Sequence, residues 1–157
     1  MEETTLTACS AAEIDYIHSK LIEYNKGFIH DDEQFGYAAK DCQGRIAGGI
    51  VATRNHQCMT IDYLWVDEEM RGRGIGSKLV AAVENAARQA GCTVVWLNTF
   101  DFQAPEFYTK LGYELFGVLD GCMNGHSQRF FRKNLSPPQP VANCMGASPW
   151  HQAKEAT

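Results

Sequence analysis

The stretch Leu64-Trp65-Val66-Asp67-Glu68-Glu69-Met70-Arg71-Gly72-Arg73-Gly74-Ile75-Gly76-Ser77 decides how this chain is read. An apolar strand end is followed by a short acidic loop and then by a glycine-rich turn that opens a helix. Closely spaced glycines leave no Cβ in the way, so successive backbone N–H groups can point together at a ligand. The helix that starts here adds unsatisfied donors and the positive end of its dipole. Arg71 and Arg73 add formal charge. Together these features predict a cradle for a pyrophosphate.

Two common phosphate loops do not fit. A nucleotide-triphosphate loop ends in Gly-Lys-Ser/Thr, and Gly76-Ser77-Lys78 has that order wrong. A dinucleotide fingerprint needs a third glycine where Ser77 stands, and a strand that ends immediately before the first glycine. Several residues intervene here after Val66. Asp101, which could imitate the ribose-binding acid, falls in a loop beyond a strand end.

Working outward, residues 59–66 form the clearest strand. Simple alternation puts Met59, Ile61, Tyr63 and Trp65 on one side and Thr60, Asp62, Leu64 and Val66 on the other. After the turn, a helix is predicted over 74–90 with the apolar stripe Ile75, Leu79, Val83, Ala86 and Ala90, and Gly91 as its stop. Residues 93–98 read as a strand buried on both faces. Pro105 suits the first turn of a short helix through Leu111, ended by Gly112, and 113–119 and 127–135 are two more strands.

Upstream, Ser10 and Glu13 have capping-box spacing ahead of Ile14, Ile17, Leu21 and Ile22, so a helix is predicted over 11–24. Residues 25–34 read as a polar loop or a frayed second helix. Residues 35–40 and 45–53 make a hairpin around the turn Asp41-Cys42-Gln43-Gly44. Gly48-Gly49 marks a bulge or a close backbone approach. From Ser136 the composition changes, and Pro137-Pro138-Gln139-Pro140 breaks regular structure. The chain therefore divides into a working domain over 1–135 and a tail over 136–157, in which Trp150 is the one residue fit to dock.

Composition narrows the class. The 157 residues suit one domain, with 45% apolar and 21% charged side chains and a net charge of -5. The tail's Lys154 and Glu155 cancel, so the whole charge belongs to the domain. No basic stripe is present to neutralise phosphates, which disfavours nucleic acid as a partner. No apolar run reaches membrane-spanning length, and Met1-Glu2-Glu3-Thr4-Thr5 is the wrong start for a secretory signal. The expectation is a cytoplasmic protein. Cys9, Cys42, Cys58, Cys92, Cys122 and Cys144 show no zinc spacing and read as reduced, mostly buried thiols. The five histidines are scattered, and no metal is expected.

The pattern Arg71-x-x-Gly74-x-Gly76 after a Leu-Trp-Val strand end resembles the acetyl-CoA signature of the GNAT superfamily of N-acetyltransferases. A second block, Ala104-Pro105-Glu106-Phe107-Tyr108-Thr109-Lys110-Leu111-Gly112-Tyr113, is similar to that family's tyrosine segment. The resemblance covers about residues 10–135. It implies an α/β fold: a mixed, mostly antiparallel sheet, helices on both faces, and a central β-α-β unit for acetyl-CoA.

The resemblance also implies roles. The pyrophosphate of acetyl-CoA would sit on the backbone of Arg71, Gly72, Arg73, Gly74, Ile75, Gly76 and Ser77. The pantetheine arm would pair with the open edge of Leu64, Trp65 and Val66, with the thioester carbonyl polarised by an N–H near Val66. Tyr108 matches the general acid. A phenol with a pKa near 10 is protonated at neutral pH. For the proton acceptor, Asp62 is the first candidate and His126 the second. Asp101 stands where many members carry asparagine, and Gln103 is a substitute contact to the cofactor. The Arg71 side chain serves either the phosphate or a salt bridge.

His30, Asp31, Asp32 and Glu33, with Asn25 and Phe35, lie where the family's acceptor loop sits. They are either a solvated loop or the wall of a pocket for a cationic small-molecule amine. The other readings are a protein or peptide acetyltransferase, an enzyme acetylating aminoacyl-tRNA, which the acidic balance disfavours, and a non-catalytic CoA sensor. The resemblance also allows a homodimer.

Overall fold

The structure, a computed structural model, describes residues 4–29 and 32–135. His30, Asp31, the 136–157 tail and its Trp150 and Cys144 therefore lie outside the described residues. In chain order the elements are α1 (Ala11–Asn25), β1 (Glu33–Lys40), β2 (Ile46–Asn55), β3 (Cys58–Val66), α2 (Ile75–Gln89), β4 (Val94–Phe100), α3 (Glu106–Lys110), β5 (Glu114–Met123) and β6 (His126–Asn134). Short 3-10 turns cover Glu68–Met70 and Asp101–Gln103. The element order expected from sequence is the order observed.

Among the described residues, six strands form one mixed sheet in the order β1-β2-β3-β4-β6-β5. Only β3 and β4 run parallel, joined through α2 in the central β-α-β unit. Every other neighbour pair is antiparallel. The α2 stripe seats the core: Leu79, Val80, Val83 and Ala87 meet Ile50, Ala52, Met59, Ile61, Val95 and Leu97. Fully burying a side chain such as Val83 is worth about 1.5–3 kcal/mol. The α3 segment packs on the same face, with the Tyr108 ring 5.9 Å from that of Phe131.

A partly buried ion cluster around Glu84 ties this layer together. Glu84 on α2 accepts from Lys133 Nζ on β6 at 2.8 Å and from Arg88 at 3.3 Å. Lys133 also donates to the Leu111 carbonyl at the end of α3. Beside it, the Tyr113 hydroxyl is buried near Glu84. Burial, reinforced by the Glu84 charge, raises its pKa far above that of an ordinary phenol.

Several expectations need correction. The 11–24 helix forms with its capping box, Ser10 N and Glu13 Oε2 lying 2.7 Å apart. Yet none of its residues is buried, and Ile14, Ile17, Leu21 and Ile22 are exposed. Among the described residues, the helices that supply the core packing are therefore α2 and α3. Strand β4 is not buried on both sides: Val95, Leu97 and Thr99 are buried, whereas Asn98 is exposed. Nor are the cysteines mostly buried. Among the described residues all are free, but only Cys92 is buried, while Cys9, Cys42 and Cys122 are exposed. Those three occupy a helix approach, a turn and an edge strand, where no second layer covers them.

The alternation expected along β3 also fails, for a definite reason. Val51 pairs with Tyr63 and Ala52 with Ile61, so Asp62 is an extra residue in β3. This β-bulge resets the side-chain phase. Met59 and Ile61 face the core, but beyond the bulge Leu64 and Val66 pack toward it, and Tyr63 and Trp65 face outward. The Gly48-Gly49 pair is a close approach. A Cβ on Gly48 would stand 3.0 Å from the Trp65 carbonyl oxygen and 3.3 Å from Ile75. No described helix is long and apolar enough to cross a membrane.

Candidate active site

The site begins where two parallel strands part. β3 and β4 pair from Cys58 with Val94 to Ile61 with Leu97 and no further, although β3 continues to Val66 and β4 to Phe100. The β4-facing edge of the last β3 residues is therefore not used by the sheet. A cavity of about 850 Å³ fills this fork. Its walls include Asp62, Leu64, Trp65 and Val66 of β3, the Arg71–Ser77 turn apart from Arg73, and Gln103 and Tyr108 from beyond β4.

The glycine turn has the geometry of an anion cradle. Gly72 and Gly74 adopt φ of 74° and 76°, the left-handed region that favours glycine. Gly74 is the N-cap of α2, and no side chain caps this end. The first-turn N–H groups of Ile75, Gly76 and Ser77 thus keep their donors free of intrahelical partners. No acidic residue lies in that turn to oppose an anion. Gly76 is needed for a second reason: a Cβ there would come within 3.1 Å of the Phe107 ring.

Arg71 Nε donates to the Val66 carbonyl at 3.2 Å, and Arg73 donates to the Glu69 carbonyl at 3.4 Å. Among the described residues neither arginine makes an ion pair. Arg71 thereby ties the cradle to the strand end and retains its other guanidinium donors.

Tyr108 is 8% exposed, and its ring meets those of Phe107, Tyr113 and Phe131. Burial raises its pKa, so the hydroxyl keeps its proton through the neutral range. Asp62, exposed on the bulge, accepts from the Thr53 hydroxyl at 2.6 Å. Gln103 Oε1 accepts from Phe100 N at 3.0 Å and from Thr99 Oγ1 at 3.2 Å, which leaves its amide nitrogen as the uncommitted end.

The structure brings Asp62, Tyr108, Gln103 and the cradle to one cavity, but not His126. His126 Nδ1 lies 2.8 Å from Asp101 Oδ1, its ring stands edge-on to Phe102, and it does not line the cavity. Asp101 in turn accepts from Ser127 N at 2.9 Å. That backbone bond first, and His126 second, hold the Asp101 carboxyl below its usual pKa range. Asp32 and Glu33 do not line the cavity either. Glu33 opens β1 and pairs with Arg54 at 3.2 Å, at the sheet end remote from the cradle.

Sequence reasoning missed Asn98, Phe102 and Phe107, which also line the cavity. Asn98 Oδ1 accepts from Gln128 across β4 and β6. A signal existed for Phe107, since it sits within the tyrosine block. Asn98 and Phe102 became visible only once β4 and the turn after it were placed.

Residues 3–113 match the family described as the acetyltransferase (GNAT) family. A blasticidin-S acetyltransferase of Streptomyces morookaense is 45% identical over 102 residues, which is 63% of this chain and 75% of that protein. The crystal structure of an acetyltransferase from Bacillus cereus has a TM-score of 0.76 and 39% identity, covering 84% of this chain and 98% of that one. An aminoglycoside 6'-N-acetyltransferase complexed with coenzyme A shares the fold at 22% identity, with a TM-score of 0.59 over 77% of this chain and 81% of that one.

Proposed function

The chain belongs to the acetyltransferase (GNAT) family, and from that premise we propose that it moves an acetyl group from acetyl-CoA to a primary amine of a small molecule, by direct attack in a ternary complex. One observation carries the reading: an uncapped, glycine-lined helix N-terminus beside an unpaired strand edge, both opening onto Asp62 and Tyr108. The names of the relatives support the small-molecule acceptor, since they include acetyltransferases for blasticidin-S and for aminoglycosides. We place the working domain at residues 1–135, acting as a cytoplasmic protein.

The cradle from Arg71 to Ser77 receives the pyrophosphate through backbone donors and arginine charge. Gln103 offers its amide nitrogen to the same cosubstrate. The edge of Leu64, Trp65 and Val66 receives the pantetheine amides as an added strand would. A backbone N–H near Val66 polarises the thioester carbonyl. The acceptor amine attacks as the neutral base, and its proton passes to Asp62 directly or through a water. When the carbon–sulfur bond breaks, Tyr108 donates its proton to the departing thiolate. His126, outside the cavity wall, is the weaker candidate for the base.

The test is thiol release from acetyl-CoA with a panel of polyamines, aminoglycosides, amino acids and amine-bearing nucleoside compounds. Turnover with one or more small amines is the expected result. CoA binding without transfer to any amine would replace this reading with a sensor.

A further inference from the structure

We propose that the acceptor is a cationic amine whose amino group is carried beside a flat unsaturated ring, and that Tyr63 and Trp65 bracket that ring next to the Asp62 carboxylate. The inference rests on the acetyltransferase reading and narrows its substrate class.

The bulge at Asp62 is the starting observation. Without the extra residue Tyr63 and Trp65 would point into the α2 layer. With it, both rings turn to the face that α2 and α3 leave open, alongside Asp62. All three residues line the cavity. Tyr63 is 71% exposed and Trp65 51% exposed, so two large rings stand at the fork unspent on the core.

Spacing supplies the second argument. A strand rises about 3.4 Å per residue, so side chains two apart on one face stand roughly 7 Å apart. That gap accepts one planar group at van der Waals distance from each neighbour, about 3.5 Å. Charge supplies the third. Among the described residues lining the cavity, Asp62 and Arg71 are the only charged side chains, and Arg71 is tied to Val66 at the cradle end. The acceptor end is therefore acidic and aromatic, a combination that favours a cation over a ring face. Thr53 engages Asp62 Oδ2, which leaves Oδ1 for the ligand. An aliphatic amine of equal charge meets the carboxylate but gains no stacking.

The test compares tryptamine and phenethylamine with pentylamine and hexylamine, which carry the same single charge. Calorimetric titration of each into CoA-loaded protein is paired with thiol-release kinetics. Ring-bearing amines are expected to bind at least tenfold more tightly. Tyr63→Leu should remove that preference through KM with little change in kcat, Tyr63→Phe should restore it, and Trp65→Leu should weaken it. Both residues are solvent-exposed, and circular dichroism confirms that the variants fold. Equal binding of ringed and aliphatic amines, or a Tyr63→Leu protein that keeps the wild-type preference, overturns the inference while acetyl transfer itself stands. A ring preference in binding without any turnover upholds the inference and removes the catalytic reading instead.

Discussion

The Thr53 hydroxyl donates to Asp62 Oδ2 at 2.6 Å, from β2 to the bulged position of β3. The bond fixes a carboxylate that would otherwise rotate freely on an exposed strand. It holds that group at the rim of the fork, on the wall of the cavity.

Asp62→Asn keeps the shape and removes the proposed proton acceptor. Loss of a positioned base costs about 10²-fold or more in kcat. The acetyl-CoA KM should stay near wild type, and Thr53→Val should lower kcat by a smaller factor. Steady-state kinetics on both variants checks this. Parallel loss of kcat and acetyl-CoA affinity would remove Asp62 from the role.

Tyr108→Phe should lower kcat by about 10²-fold while calorimetry shows CoA binding nearly intact. Burial raises the folded pKa of Tyr108, so its acid form persists through neutral pH. An alkaline fall in kcat that belongs to this group begins only above pH ~10, the ordinary phenol value. That limb should be absent in the phenylalanine variant.

Gly74 holds a left-handed φ of 76° at the α2 N-cap. Gly74→Ala should cost about 1–2 kcal/mol of local strain and raise the acetyl-CoA KM, with little effect on the acceptor KM. Gly76→Val should do so more severely, because its side chain enters the space of Phe107. A Gly74→Ala protein with unchanged acetyl-CoA KM would argue against the cradle.

Lys133→Met leaves Glu84 buried with Arg88 as its remaining ionic partner. An uncompensated buried charge costs about 3–5 kcal/mol; with Arg88 retained and Lys133 only half-buried, the loss is that of a charged hydrogen bond, about 1–3 kcal/mol. Urea denaturation should show a loss of that order, and adding Glu84→Gln should recover part of it. A loss below about 1 kcal/mol, the range of surface pairs, would mean that the cluster is solvated.

Asp101 has a lowered folded pKa, chiefly through the Ser127 N–H and then His126. Its contribution is fully present above the ordinary aspartate value of about 3.9. It is lost as pH falls through the lower folded value. The wild type should therefore lose Tm more steeply below pH ~4 than Asp101→Asn, which cannot titrate. Identical acid limbs would show that the Asp101–His126–Ser127 cluster does not matter to stability.

Local chemistry carried far into the fold. The capping box at Ser10 and Glu13, the stripe from Ile75 to Ala90 and the glycine stops are properties of neighbouring residues, and each appears where the sequence places it. The cradle was legible for the same reason, because backbone freedom at Gly72 and Gly74 is local. The phase of β3 was not. Alternation assumes an unbroken ladder, and the insertion at Asp62 is defined only by which β2 residue each position faces.

The sequence by itself therefore determined the element order, the glycine-rich turn and the tyrosine segment, since these depend on residues within a few positions of one another. Tertiary structure alone decided the fork between β3 and β4 and the turning of Tyr63 and Trp65 to the open face. It alone placed His126 against Asp101, outside the cavity. Each of these is a relation between strands whose pairing is set by long-range hydrogen bonds, and no local pattern encodes where a ladder stops.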